Sequence, residues 1–312
     1  MKATGLLAFP ITPFTSGLAV DLTGLRQYLE GQLAARRPVG PSGQLSPTAW
    51  FVACGTGEFA ALGMAEFRSV VRTAVEVVGG SAPVYAGAGG GPQAAREFAA
   101  AAQESGADGL LLLPPYLVSA PPSGLVAHIR YVAEGTSLPI LVYQRANAVL
   151  DPDSALALLD IDNVVGIKDG VGDLDLTARI TATVRTSGHP RAADFQFING
   201  LPTAELSAPA YRALGVESYS SAVLAFAPDI ALTYYAALVD DDTTTRDRLL
   251  ERFYLPLTKL RQEVPGYAVS LVKAGAQLAG WPAGPLRPPL VDPSPEHLAR
   301  LEQILNDGRA AR

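Results

Sequence analysis

The feature that most constrains this chain is an alternation that runs through most of its length: a short apolar run, a longer amphipathic stretch, then the same again. The apolar runs are Thr4–Ala8, Trp50–Ala53, Val84–Gly87, Gly109–Leu113, Ile140–Tyr143, Val164–Lys168, Phe195–Ile198 and Val216–Ser220. Most are near-continuous Val, Ile, Leu, Phe and Ala, the pattern of strands buried on both faces of a parallel sheet. Ala94–Glu104, Leu176–Thr186 and Pro202–Leu214 read as helices between them. Helix-start chemistry falls where it should, with Asp21 before LTGLRQYL and Asp151 ahead of Pro152. Eight strand–helix units predict an α/β fold, a (β/α)8 TIM barrel over residues 1–237. A doubly wound sheet would need a glycine fingerprint for phosphate after its first strand. GAGGGP at Gly87–Pro92 has the wrong spacing and follows the third run instead.

Two segments stand outside the repeat. Ala35–Pro47 is rich in Pro, Gly and Ser and reads as a tolerated loop on the barrel face opposite the usual active site. Beyond Leu238 the patterns are helical without strands: Thr243–Glu263, Ala268–Gly280 and Pro295–Leu305. They predict a C-terminal helical bundle over residues 238–312.

Composition narrows the function classes. With 48% hydrophobic and 17% charged residues, 312 residues can bury a large core. A net charge of -6 argues against a nucleic-acid surface, and the Arg36-Arg37 pair is too small to reverse that. Cys54 is the single cysteine, so no intrachain disulfide forms, and a reducing cytoplasm fits best. The N-terminal MKATGLLAFPITPF is broken by Pro10 and Pro13, unlike a signal peptide, and no stretch is long and apolar enough for a membrane span. His128, His189 and His297 lack ligand spacing, so no metal is expected.

The chemistry-bearing residues sit at strand ends. Lysine is scarce: Lys2, Lys168, Lys259 and Lys273. Three of them lie near the terminus or in helical segments, where a solvated lysine needs no explanation. Lys168 ends the sixth apolar run, at the C-terminal strand end where barrel enzymes keep their chemistry. Desolvation there lowers an amine's pKa, and the neutral amine attacks carbonyls. A pairing with Asp169 is the structural alternative. Tyr143 closes the fifth run and could shuttle a proton, though alone it would read as an aromatic plug. Gly55-Thr56-Gly57-Glu58 follows the second run and could present backbone N–H groups and a hydroxyl to a carboxylate, or form a simple turn. Asn199-Gly200 and Ser220-Ser221 end the seventh and eighth runs. Several strand ends thus converge on one mouth.

FPITPF, ACGTGEF, LLLPPY, ILVYQR, VVGIKDGVGD and GVESYSSA, taken in order, resemble the dihydrodipicolinate synthase / N-acetylneuraminate lyase superfamily over essentially the whole chain. GTGEF, LLLPPYL, GIKDGVGD, GLPTAE and YSSAV look most like its 5-dehydro-4-deoxyglucarate dehydratase branch. The resemblance implies Lys168 as Schiff-base lysine and Tyr143 as catalytic tyrosine. It also implies Gly55, Thr56 and Gly57 as binders of the keto-acid carboxylate, no cofactor beyond the covalent imine, and a homotetramer. Gly200, Ser220 and Ser221 join them as substrate-binding candidates. Four positions depart from the superfamily pattern: Cys54 replaces a glycine, Leu117 follows PPY where some members donate a tyrosine across an interface, Gln144 replaces an asparagine, and Ala148 replaces the synthase's arginine. The last argues against dihydrodipicolinate synthesis. Arg145 is a candidate clamp for a second carboxylate, with a surface ion pair as the plainer alternative. The expected function is a decarboxylating dehydratase of a sugar diacid. Rivals are a 2-keto-3-deoxy sugar-acid aldolase that releases pyruvate and a non-catalytic keto-acid-binding barrel.

Overall fold

The computed structural model describes residues 3–35, 37–39 and 43–312. Its strands are β1 (Leu6–Ala8), β2 (Arg37–Val39), β3 (Gly43–Leu45), β4 (Ala49–Val52), β5 (Val84–Gly90), β6 (Gly109–Pro115), β7 (Ile140–Gln144), β8 (Val164–Asp169), β9 (Gln196–Asn199) and β10 (Ser218–Ser221). All but β2 and β3 close into a barrel in the order β1-β4-β5-β6-β7-β8-β9-β10, with every neighbouring pair parallel. Helices α1 (Leu22–Ala34), α2 (Met64–Val78), α3 (Pro92–Glu104), α4 (Pro122–Ala133), α5 (Pro152–Ala157), α6 (Leu174–Thr186), α7 (Ala208–Ala213) and α8 (Pro228–Val239) follow the barrel strands in turn. Then come α9 (Thr243–Leu249), α10 (Leu255–Gln262), α11 (Tyr267–Leu278) and α12 (Pro295–Ala310). The TIM barrel read from the sequence is the fold observed. No described helix is long and apolar enough to cross a membrane.

The two burial faces explain why the strand sequences are apolar throughout. Leu7, Phe51, Tyr85, Leu111, Leu141 and Ile198 fill the barrel interior, where Phe51 stacks between Phe9 and Tyr85 at centroid distances of 4.7 and 4.8 Å. Their neighbours Leu6, Trp50, Val52, Leu110, Leu112, Ile140 and Val142 face the helices. Each such side chain contributes roughly 1.5–3 kcal/mol on burial. The predicted caps are in place: Asp21 accepts from the Gly24 N–H and Asp151 from the Ser154 N–H, both at 2.8 Å.

Four readings need correction. The segment Ala35–Pro47 is more than a loop: β2 and β3 pair antiparallel between α1 and β4. Arg36 and residues 40–42 lie outside the described residues, and with them the Arg36-Arg37 pair. Pro202–Leu214 is not one helix but a 3-10 turn, Ala204–Leu206, followed by α7. Pro209 sits in the first turn of α7, where a proline's missing N–H costs no intrahelical bond, so the helix starts afresh there instead of running through from Pro202. Thr243–Glu263 is likewise broken by a π-helical turn, Leu250–Tyr254, just ahead of Pro256, whose missing N–H removes an α-type bond. Finally, Lys273 is not solvated. It is 2% exposed and paired with the equally buried Glu58 at 2.6 Å.

Strand β5 approaches the loop after β4 so closely that only glycine fits. A Cβ on Gly87 would lie 2.3 Å from the Ala53 carbonyl oxygen, a backbone atom that cannot swing aside. Gly87→Ala is therefore expected to cost about 2 kcal/mol or more in urea unfolding. Wild-type stability for this variant would contradict the packing described.

Candidate active site

Parallel pairing of β7 with β8 puts Tyr143 directly beside Lys168 and, one residue on, Gln144 beside Asp169. Because side chains alternate across a strand, the first pair points into the barrel and the second toward the helices. That alternation settles the Asp169 alternative. Asp169 faces outward, accepting from Gln144 Nε2 (2.9 Å), the Val171 N–H (3.0 Å), the Thr177 hydroxyl (3.2 Å) and the Tyr211 hydroxyl. Lys168 makes no ion pair among the described residues. Its Nζ, in a side chain that is nearly fully buried, donates to the Gly200 carbonyl at 3.3 Å and lies 3.7 Å from the Tyr143 ring centroid and 4.9 Å from that of Phe9.

Electrostatics follow from this placement. Burial in the apolar interior pulls the Lys168 pKa below the ordinary lysine value. The Tyr143 and Cys54 side chains oppose that shift, and the Arg145 charge adds to it. More free amine is then present at neutral pH than an exposed lysine would offer. Cys54 lies in the same interior, where burial pushes its thiol up to about 12 and keeps it protonated; Lys168 acts in the opposite direction. The Tyr143 hydroxyl donates to the same Gly200 carbonyl at 3.2 Å and accepts from Arg145 Nη1 at 3.4 Å.

Lys168 and Tyr143 open into a cavity of about 360 Å³ whose wall includes Gly55, Thr56, Arg145, Gly200 and Ser220. Thus most of the sequence candidates meet in one place. Two do not form the wall. Gly57 packs behind it, its carbonyl accepting from the Thr12 hydroxyl at 2.8 Å. Ser221 is fully buried and turned away, donating to Glu205 Oε1 at 2.6 Å. Sequence reasoning missed the far wall: Gly266, Ala268 and Val269 at the start of α11, and Leu290 beyond it, have no chemical signature of their own. Among the described residues no aspartate or glutamate lines the cavity, although acidic residues outnumber basic ones in the chain. Its charged lining residues are Lys168 and Arg145, and Arg145 has no carboxylate partner among the described residues.

Of the departures from the superfamily pattern, Gln144 has a structural role on the outer face, bonding Asp169 and accepting from the Leu150 N–H at 3.3 Å. Leu117 is 82% exposed in a left-handed conformation with φ 55°.

Behind the wall, Glu205 is completely buried. Its Oε2 and the hydroxyls of Tyr219 and Tyr254 find no partner among the described residues. Burial raises its carboxyl to about 7, with the Ser221 hydrogen bond the chief opposing influence.

These features define a (β/α)8 barrel with a lysine-centred, acid-free cavity at the C-terminal ends of its strands. The family model for the dihydrodipicolinate synthetase family matches residues 2–307, and the chain belongs to that family. It is 49% identical over 306 residues to a probable 5-dehydro-4-deoxyglucarate dehydratase of Streptomyces griseus, covering 98% of this chain and 92% of that protein. Another protein of that name, from Rhizobium rhizogenes, is 42% identical over 312 residues, covering 99% and 96%. Among solved structures, dihydrodipicolinate synthase from Oceanobacillus iheyensis superposes with a TM-score of 0.84 at 27% identity, covering 98% and 96%.

The raised Glu205 pKa has a testable sign. The folded state holds the proton that the unfolded chain releases near 4.5, so this contribution to stability is full below about 4.5 and is lost as pH rises through about 7. Glu205→Gln, which cannot ionise, is expected to lose less stability than wild type across that window. Parallel pH–stability curves from chemical unfolding would refute it.

Proposed function

We propose that this chain is a decarboxylating 5-dehydro-4-deoxyglucarate dehydratase that works through a Schiff base on Lys168. The observation that carries the reading is the Lys168 amine, desolvated, free of any ion pair and opening into a cavity that no acidic side chain lines. The names of the relatives at 42–49% identity support the choice of substrate.

The substrate is a keto acid at one end and a hydroxy acid at the other. Gly55 and Thr56 take the carboxylate beside the ketone, and Arg145 takes the distal one. The neutral Lys168 amine adds to the ketone carbon, and loss of water leaves an iminium. The iminium acidifies the neighbouring methylene. Tyr143 carries its proton away, and the resulting enamine expels the β-hydroxyl as water. The double bond so formed is conjugated with the iminium. When the distal carboxylate leaves as carbon dioxide, its bonding pair flows along this system to the nitrogen. The enol left behind becomes an aldehyde, and hydrolysis frees Lys168 and 2,5-dioxopentanoate. Between imine formation and hydrolysis every step is a proton transfer or an elimination that uses the imine as electron sink, so the scheme calls on no metal or organic cofactor.

Incubation with 5-dehydro-4-deoxyglucarate is expected to release carbon dioxide and semialdehyde in equal amounts. Pyruvate as the product would replace this reading with the aldolase one. Arg145→Gln is expected to raise the KM for the diacid about tenfold or more while leaving pyruvate binding within a factor of about two. Equal effects on both ligands would remove Arg145 from the distal site.

A further inference from the structure

The buried Glu58–Lys273 pair lies outside the cavity and joins two segments that line it, the Gly55-Thr56 loop and α11. Glu58 directly follows the Gly55-Thr56-Gly57 loop and holds a left-handed backbone, φ 55°, that a side-chain-bearing residue adopts only when its surroundings impose it. Ala53, at the loop's other end, is also left-handed at φ 46°. The loop is therefore bracketed by two backbone conformations that would relax if released.

What holds the Glu58 end comes from the far end of the sequence. Lys273 Nζ donates to Glu58 Oε1 at 2.6 Å and to the Pro285 carbonyl at 2.8 Å, and the Arg287 N–H donates to Glu58 Oε2 at 3.2 Å. The Phe14 ring is contacted by both cations, with Lys273 Nζ 4.0 Å and the Arg287 guanidinium carbon 4.3 Å from its centroid. Lys273 stands four residues beyond Val269 on α11, so the two share one helix face. Val269 lines the cavity together with Gly55 and Thr56 of the loop. One helix face thus walls the cavity at one end and grips the loop at the other.

We propose that Lys273 is a positioning residue for keto-acid binding: through Glu58 it fixes the Gly55-Thr56 backbone and hydroxyl in the geometry that accepts the substrate carboxylate, and couples that loop to α11. The inference rests on the proposed role of the Gly55-Thr56 loop. Neither Lys273 nor Glu58 lines the cavity, so both act through the loop and not on the reacting atoms.

The test is borohydride trapping of pyruvate on the full chain, reading the half-saturating pyruvate concentration separately from the limiting labelling rate. Lys273→Gln is expected to raise half-saturation about tenfold while the limiting rate stays within a factor of about three. Glu58→Asp, which keeps the charge but shortens the reach, is expected to shift it in the same direction and serves if Lys273→Gln does not fold. A purely structural role would lower the thermal midpoint and the labelled fraction with half-saturation unchanged, and that result overturns the proposal. Thr56→Val separates the two layers. If it weakens pyruvate binding while both clasp variants leave it intact, the inference fails and the reading of the loop stands. If Thr56→Val is silent, the reading of the loop fails and takes the inference with it.

Discussion

The register between β7 and β8 is the constraint on which the site depends. One residue of slip in β8 would turn Lys168 toward the helices and bring Asp169 into the barrel beside Tyr143. In the observed register the amine enters a space walled by Phe9, Tyr143 and the buried thiol of Cys54, where its charged form is disfavoured. Asp169, the nearest carboxylate in sequence, is held outside by five donors. Keeping that acid away from the lysine matters as much as burying the lysine, because an ion pair would hold the amine protonated.

The C-terminal helices are part of the same machine. A barrel alone would leave the mouth above Lys168 open; the first turn of α11 and Leu290 supply the missing wall. The strap between α11 and α12 is fastened back to the barrel by Arg287, which bonds Glu66 and the Ala61 carbonyl of the segment after β4. The Gly55-Thr56-Gly57 loop is therefore secured from two directions: β5 presses against Ala53 at Gly87, and Lys273 grips Glu58. Both contacts join residues far apart in sequence.

That distance explains what was legible in the sequence. Strands buried on both faces leave a one-dimensional signal, and so do Asp-Pro caps and a lone lysine at the end of an apolar run. The barrel, Lys168, Tyr143, Thr56 and their convergence could therefore be read directly. Lys273 could not, because a helical lysine looks the same whether it meets water or a glutamate placed 215 residues earlier. The cavity wall at Gly266, Ala268 and Val269 was silent for a similar reason, since small residues carry no chemistry until the fold places them. Ser221 misled because adjacent serines on a strand point to opposite faces, and a strand end does not say which one faces inward. The breaks at Ser207 and Leu250–Tyr254 were foreshadowed by Pro209 and Pro256, whose local rules outrank the amphipathic pattern around them.

The central claim is covalent: a keto acid bonds to Lys168. The most direct measurement is to incubate the protein with a 2-keto acid, reduce with borohydride, and map the modified peptide by mass spectrometry. The account predicts a single reduced adduct on the peptide containing Lys168, and none in Lys168→Met. An adduct on Lys259 or Lys273 instead, or no adduct at saturating keto acid, would contradict it.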